Sequence, residues 1–256
     1  AAIASAAAGE PPAPEIALES VEAAYPGRPV VLWIDELRIP AGQRVAVVGS
    51  SGAGKSTLAR VLMGLLEVRD GRVDVGGLDP AEMSELERAS RIVMVSQDVH
   101  VFSGSLRHNL LIARESASDD ELRDALESVA GPRWRHTFTD GLDTMIGEGN
   151  AEVSATDAHR LALARALVTR APIVILDEAT ADADTADARD LEAAAGRALA
   201  GRTVVTIAHH LSQASSAERV LVMEHGRVVE DGTHDELLEI EGPYRELWAA
   251  WTSHRA

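Results

Sequence analysis

Gly49-Ser50-Ser51-Gly52-Ala53-Gly54-Lys55-Ser56-Thr57 follows the apolar run Val45–Val48 and precedes apolar residues at Leu58, Val61, Leu62 and Leu65. The first flank reads as a buried strand and the second as an amphipathic helix over Lys55–Leu66. The glycine-rich stretch is therefore a strand-to-helix turn, the context in which the pattern GxxxxGKS/T carries meaning. Its glycines admit backbone angles closed to other residues, so successive N–H groups can converge on phosphate oxygens. The start of the helix adds positive potential. Lys55 supplies a compact ammonium to bridge the β- and γ-phosphates, and Ser56 a hydroxyl for Mg²⁺. Lys55 is also the single lysine of the chain, every other strong base being arginine. These features point to a nucleoside triphosphate site.

Working outward, Ile16–Val21, Val30–Leu37 and Arg44–Val48 read as strands, with turns at Pro26–Gly27 and Ala41–Gly42. Further strand-like runs are Val73–Val75, Ile92–Val95, Ile173–Leu176, Val204–Ile207, Val220–Met223 and Arg227–Val229. Between Ser103 and Leu167 the pattern is mainly helical. The result is a parallel-sheet core interrupted by a helical insert and closed by a helical tail, with no internal repeat. Residues 1–15, AAIASAAAGEPPAPE, are rich in Ala and Pro, lack periodicity and read as a linker. They lack the basic start and apolar stretch of a secretory signal.

The strand Ala171–Leu176 ends in two carboxylates, Asp177 and Glu178. A carboxylate at a strand tip suits Mg²⁺, held through water. Its neighbour points elsewhere and can polarise an attacking water as general base.

Composition removes other classes. Acidic residues outnumber basic ones 41 to 24, a net charge of −17, which excludes the basic footprint of a general nucleic-acid binder. No apolar run approaches the roughly 18–20 residues that span a bilayer. The absence of cysteine excludes disulfide scaffolds, cysteine nucleophiles and thiolate zinc sites.

From Tyr25 to His234 the chain resembles the nucleotide-binding domain of ABC transporters, most closely the exporter type. Tyr25 before Pro26 is similar to the aromatic residue that stacks on adenine, and Val95-Ser96-Gln97 to the loop whose glutamine meets Mg²⁺ and senses the transmembrane partner. Val101-Phe-Ser-Gly-Ser-Leu-Arg-His-Asn-Leu110 and Thr144-Met-Ile-Gly-Glu148 resemble exporter segments, the second of which touches the membrane domain's coupling helices. Leu161–Ala166 resembles the helix behind the signature motif. Asp184 matches the D-loop aspartate, and His209, in Ile207-Ala-His209-His210-Leu211, the histidine on the γ-phosphate. Gly232-Thr-His234 resembles the family's closing pattern, in which His234 is structural. The resemblance implies an α/β fold: a RecA-like P-loop core with an N-terminal antiparallel β-subdomain and a helical subdomain over about residues 98–168, within a domain of residues 16–256. It also implies an ATPase using ATP and Mg²⁺ at the cytoplasmic face of a membrane, paired with a transmembrane domain. Glu178 and His209 would drive hydrolysis, and Ser56, Gln97 and Asp177 would meet the metal.

One segment departs from the pattern. Where the family shows LSGGQ, this chain has Val153-Ser154-Ala155-Thr156-Asp157. Ala155 and Thr156 put Cβ atoms where glycine allows close approach to the partner's nucleotide. Ser154-x-x-Asp157 resembles a capping box, with Asp157 spending the positive helix end internally and repelling phosphate. The expectation is therefore a heterodimer whose partner domain carries an intact signature. A soluble ABC ATPase and a regulatory ATP-binding module with little turnover are the alternatives. The transported substrate cannot be read from this chain.

Overall fold

The structure, a computed structural model, describes residues 15–96, 98–177, 186–208 and 211–253. Strands β1 (Ile16–Ala23) and β2 (Leu32–Ile39) pair antiparallel, while β3 (Arg44–Val48) leaves them for a second sheet. After helix α1 (Lys55–Leu62), β4 (Val68–Val75) returns to the free side of β1, giving an antiparallel sheet ordered β2-β1-β4. Its apolar side is Ile16, Leu18, Val21 and Ala23, all buried. The step of three between Leu18 and Val21 follows a register shift around Ser20, whose φ of +52° re-phases the strand.

Helix α1 stops a turn before the apolar spacing predicts. Gly64 takes φ +64°, and a Cβ there would lie 2.2 Å from the Pro80 carbonyl oxygen, so the chain must leave the helix. Leu65 is consequently 60% exposed, and Leu66 at 8% takes the buried place instead.

Helix α2 (Glu85–Arg91), started by a Ser84–Glu87 capping box, runs into β5 (Ile92–Val95). The insert follows as β6 (Gly104–Ser105), α3 (Leu106–Leu111), α4 (Asp119–Ala130), α5 (Trp134–Thr137), β7 (Met145–Ile146) and α6 (Ala155–Thr169). It is mainly helical, with turns between the helices and a two-residue ladder between β6 and β7. The chain then completes the core with β8 (Ile173–Asp177), α7 (Ala186–Ala198), β9 (Thr203–Ile207), α8 (Leu211–Ser215), β10 (Arg219–Glu224) and β11 (Arg227–Gly232). Helices α9 (His234–Glu239) and α10 (Pro243–Ser253) form the tail. The order of the six-stranded sheet is β11-β10-β3-β9-β8-β5. All its neighbours are parallel except β11, which pairs antiparallel at one edge. Continuous apolar runs such as Ile173–Leu176 are what a strand covered on both faces requires. His234 is structural here: its Nδ1 lies 2.7 Å from the buried Tyr244 hydroxyl and its ring packs on Trp248.

A buried polar clamp ties the insert together. Asn109 in α3 is fully buried; its Nδ2 donates to the Phe102 and Ser105 carbonyls, and its Oδ1 accepts from the Phe102 N–H. Arg165 in α6 donates to Asn109 Oδ1 (2.7 Å), to the Asn109 carbonyl and to the His100 carbonyl. Burial lowers the Arg165 pKa, yet the guanidinium remains charged, and each of its three nitrogens donates one of these bonds. Asn109→Ala leaves this buried network half-satisfied and is expected to cost about 2–3 kcal/mol. The check is a lower urea midpoint at unchanged m-value.

Candidate nucleotide site

Four parallel neighbours, β3, β9, β8 and β5, end level with one another. Val47 is in register with Ile207, Ile207 with Asp177, and Leu176 with Val95. The carboxyl edge of such a sheet is where α/β folds bind ligands. From it emerge the glycine-rich loop after β3, Asp177 at the tip of β8, Ala208 after β9 and Ser96 after β5. With strands about 4.8 Å apart, β8 lies roughly 10 Å from β3, within reach of a triphosphate and its hydrated metal. Gln97, Glu178, Asp184 and His209, the other residues expected here, lie outside the described residues.

The loop is built to bend tightly. Gly49 takes φ +146°, and a Cβ there would sit 2.2 Å from the Met223 carbonyl oxygen, so β10 forbids any side chain. The Ala53 N–H bonds the Ser50 carbonyl, and the Gly226 N–H bonds the Ala53 carbonyl, anchoring the buried side of the turn. Ser50, Ser51, Gly52 and Ser56 face solvent. Lys55 is 5% exposed; its Nζ donates to the Gly49 carbonyl at 2.7 Å and to the Ser50 carbonyl at 3.0 Å. The ammonium thus lies inside the loop's curve. Gly54 precedes α1 at φ +104° and gives no side-chain cap, which leaves the first-turn N–H groups open to an anion. The Ser56 hydroxyl and the half-buried Asp177 carboxylate offer hard oxygens of the kind Mg²⁺ takes.

Tyr25 arrives from the antiparallel sheet. The Pro26–Gly27 turn, closed by the Arg28 N–H on the Tyr25 carbonyl, sets its ring beside α1. The Tyr25 hydroxyl lies 3.3 Å from Thr57 Oγ1. Sequence reading missed Arg60, whose guanidinium donates to that hydroxyl and lies over the ring. Its place three residues past Thr57 on one helix face was the available signal.

The start of α6 is the opposite of the start of α1. Ser154 is its N-cap: Oγ accepts the Asp157 N–H at 3.1 Å and donates to Asp157 Oδ2 at 2.7 Å. Asp157 Oδ1 accepts from Arg160 at 2.9 Å, both side chains being largely buried. The carboxylate engages the cap's hydroxyl rather than its N–H, so this is half of the expected box. Val153 is half-buried, Ala155 exposed and Thr156 half-buried. His159 Nδ1 donates to the Ala155 carbonyl at 2.8 Å, closing the turn from inside. A helix end that phosphate would otherwise seek already holds a fixed anion.

Comparisons with known proteins agree with this fold. The family model described as ABC transporter matches residues 34–181. The ATP-dependent lipid A-core flippase of Thiobacillus denitrificans is 38% identical over 237 residues, covering 91% of this chain and 41% of that protein. The flippase of the same description from Escherichia coli K12 is 37% identical over 235 residues, covering 91% and 40%. The chain therefore spans about two fifths of the length of these relatives. The solved structure of a bacterial Atm1-family ABC exporter with ATP bound superposes with a TM-score of 0.84 at 33% identity, covering 94% of this chain and 43% of that one.

Proposed function

This chain belongs to the ABC transporter family and is an ATPase of that family, and from that premise we propose that it powers a membrane exporter as one of two paired nucleotide-binding domains. The observation that carries the proposal is the open, uncapped start of α1 with Lys55 curled beneath it, level with Asp177 on one sheet edge. In this reading the triphosphate of ATP lies along Gly49–Thr57. Lys55 would donate to anionic phosphate oxygens, and hydrogen bonds assisted by charge on both partners are the strong ones. Ser56, Gln97 and Asp177 would hold Mg²⁺, which when bound neutralises phosphate charge. Tyr25 stacks on the base, Glu178 accepts the proton of the attacking water, and His209 meets the γ-phosphate.

The relatives are lipid flippases and an exporter, each more than twice the length of this chain. That supports pairing with a transmembrane domain on the cytoplasmic face of a membrane. No helix among the described residues is long and apolar enough to cross a bilayer. Gln97 and the segment Thr144–Glu148 are the proposed contacts through which transport and hydrolysis communicate.

The nucleotide reading is tested by Lys55→Ala. Removing a charge-assisted contact of about 1.5–3 kcal/mol is expected to weaken MgATP binding tenfold or more, measured by titration calorimetry. Unchanged affinity overturns the assignment.

A further inference from the structure

Away from the nucleotide edge, a cavity of about 60 Å³ lies between the six-stranded sheet and helices α7 and α8. Its apolar wall includes Leu163 of α6, Leu176 of β8, Ala195 of α7 and Val204 of β9, all buried. Arg44, the first residue of β3, lines the same cavity and is half-buried. Gly196 makes room for it. Glycine weakens a helix interior relative to alanine, but a Cβ at Gly196 would lie 3.3 Å from Arg44 Nη2 and 3.7 Å from its Cζ. The guanidinium thus packs against the bare backbone of α7. Among the described residues it makes no hydrogen bond or ion pair, in a chain whose acids outnumber its bases 41 to 24. Two carboxylates stand close by without taking it. Glu218 accepts the Arg44 main-chain N–H at 3.4 Å, and Glu192, on the cavity wall, has an interaction of its own.

A guanidinium presents a planar fork of N–H donors that a carboxylate meets bidentately. A cavity of about 60 Å³ holds some four to six waters at the roughly 10–15 Å³ each requires, which is the room of a short hydrocarbon tail. We propose that this cavity binds a small carboxylate with a short unbranched apolar tail. Its carboxylate pairs with Arg44 and its tail lies among Leu163, Leu176 and Val204. Helix α7 starts two residues after Asp184 and α8 two residues after His209, so the ligand would lie between the helices that follow both segments. The site shares no residue with Gly49–Thr57 and does not depend on the nucleotide reading.

Hexanoate, hexanol and hexylamine are titrated by calorimetry into the full chain and its Arg44→Gln and Ala195→Leu variants. Hexanoate is expected to bind the parent with a dissociation constant of about 1 mM or tighter, within the range so small a ligand reaches. Hexanol has the tail without the charge, and hexylamine has the opposite charge. Both should bind about tenfold more weakly or worse, the worth of a charge-assisted hydrogen bond. Arg44→Gln should lose hexanoate by the same factor, and Ala195→Leu, which fills the cavity, should abolish saturable binding. Arg44 stands half-buried at a strand start, so its variant keeps the core and decides the matter even where Ala195→Leu fails to fold. A parent that hexanoate does not saturate at about twenty times that concentration overturns the proposal. So does hexanol binding as tightly as hexanoate, an Arg44→Gln variant that binds hexanoate unchanged, or a folded Ala195→Leu variant that still binds it.

Discussion

Glu178→Gln is expected to leave MgATP affinity unchanged and to slow hydrolysis by about 10²–10⁴-fold, the range a general base supplies. The amide keeps the size of the carboxylate and one acceptor oxygen, but it cannot take a proton from water. The structural footing is Asp177, the last residue of β8, in register with Ile207 and level with the start of the glycine-rich loop. In the sequence reading Asp177 meets the metal through water, and Glu178 takes the separate role of general base for the attacking water. The two carboxylates should therefore fail differently. Asp177→Asn should weaken nucleotide binding in a way that depends on Mg²⁺, while Glu178→Gln should alter only the chemical step in single-turnover kinetics. A Glu178→Gln variant with near-native turnover removes it as the base.

The parts of the site that were legible in the sequence are those built by neighbours along the chain. Arg44–Val48 and Ile92–Val95 have the same bounds in sequence and structure, because each is a short apolar run set off by an arginine at its start and by Gly49 or Ser96 at its end. Ser154 and Asp157 sit three apart, so their capping contact could be read directly. What remained hidden depends on distant partners. The apolar spacing of α1 continues to Leu65, but close approach of Pro80 to Gly64 ends the helix earlier. The β6–β7 ladder joins Gly104 to Ile146 across a long helical insert with no local signature. Asn109 and Arg165 lie 56 residues apart and meet only after α3 and α6 pack. Tyr25 and Thr57 meet through the turn after β1, a juxtaposition that only the family resemblance suggested.

Repairing the signature segment should raise the activity of this chain alone by about 10²–10³-fold, the effect of restoring preorganised donors near developing charge. The argument starts from the contrast between two helix ends. That of α1 has no side-chain cap and an ammonium beside it, while that of α6 is capped by Ser154 and holds the Asp157 carboxylate, fixed by Arg160. A head-to-tail homodimer would set each open P-loop against a helix end already carrying an anion, so both sites would work poorly. A partner domain with an intact signature would leave one competent site, formed by this chain's P-loop and Glu178 with the partner's loop. The variant Ala155→Gly/Thr156→Gly/Asp157→Gln removes two Cβ atoms and the charge. It keeps the helix start, since Ser154 followed three residues later by glutamine is itself a favoured capping box. Poor activity in it could not then be assigned to a lost cap. The measurement is ATPase turnover per site for the chain alone, the chain with its partner, and the repaired chain alone. With Glu178→Gln added, the repaired chain should also dimerise on ATP in size-exclusion chromatography. An unmodified chain whose turnover alone equals that of the pair would show that Asp157 does not obstruct the site, and the asymmetry would fall with it.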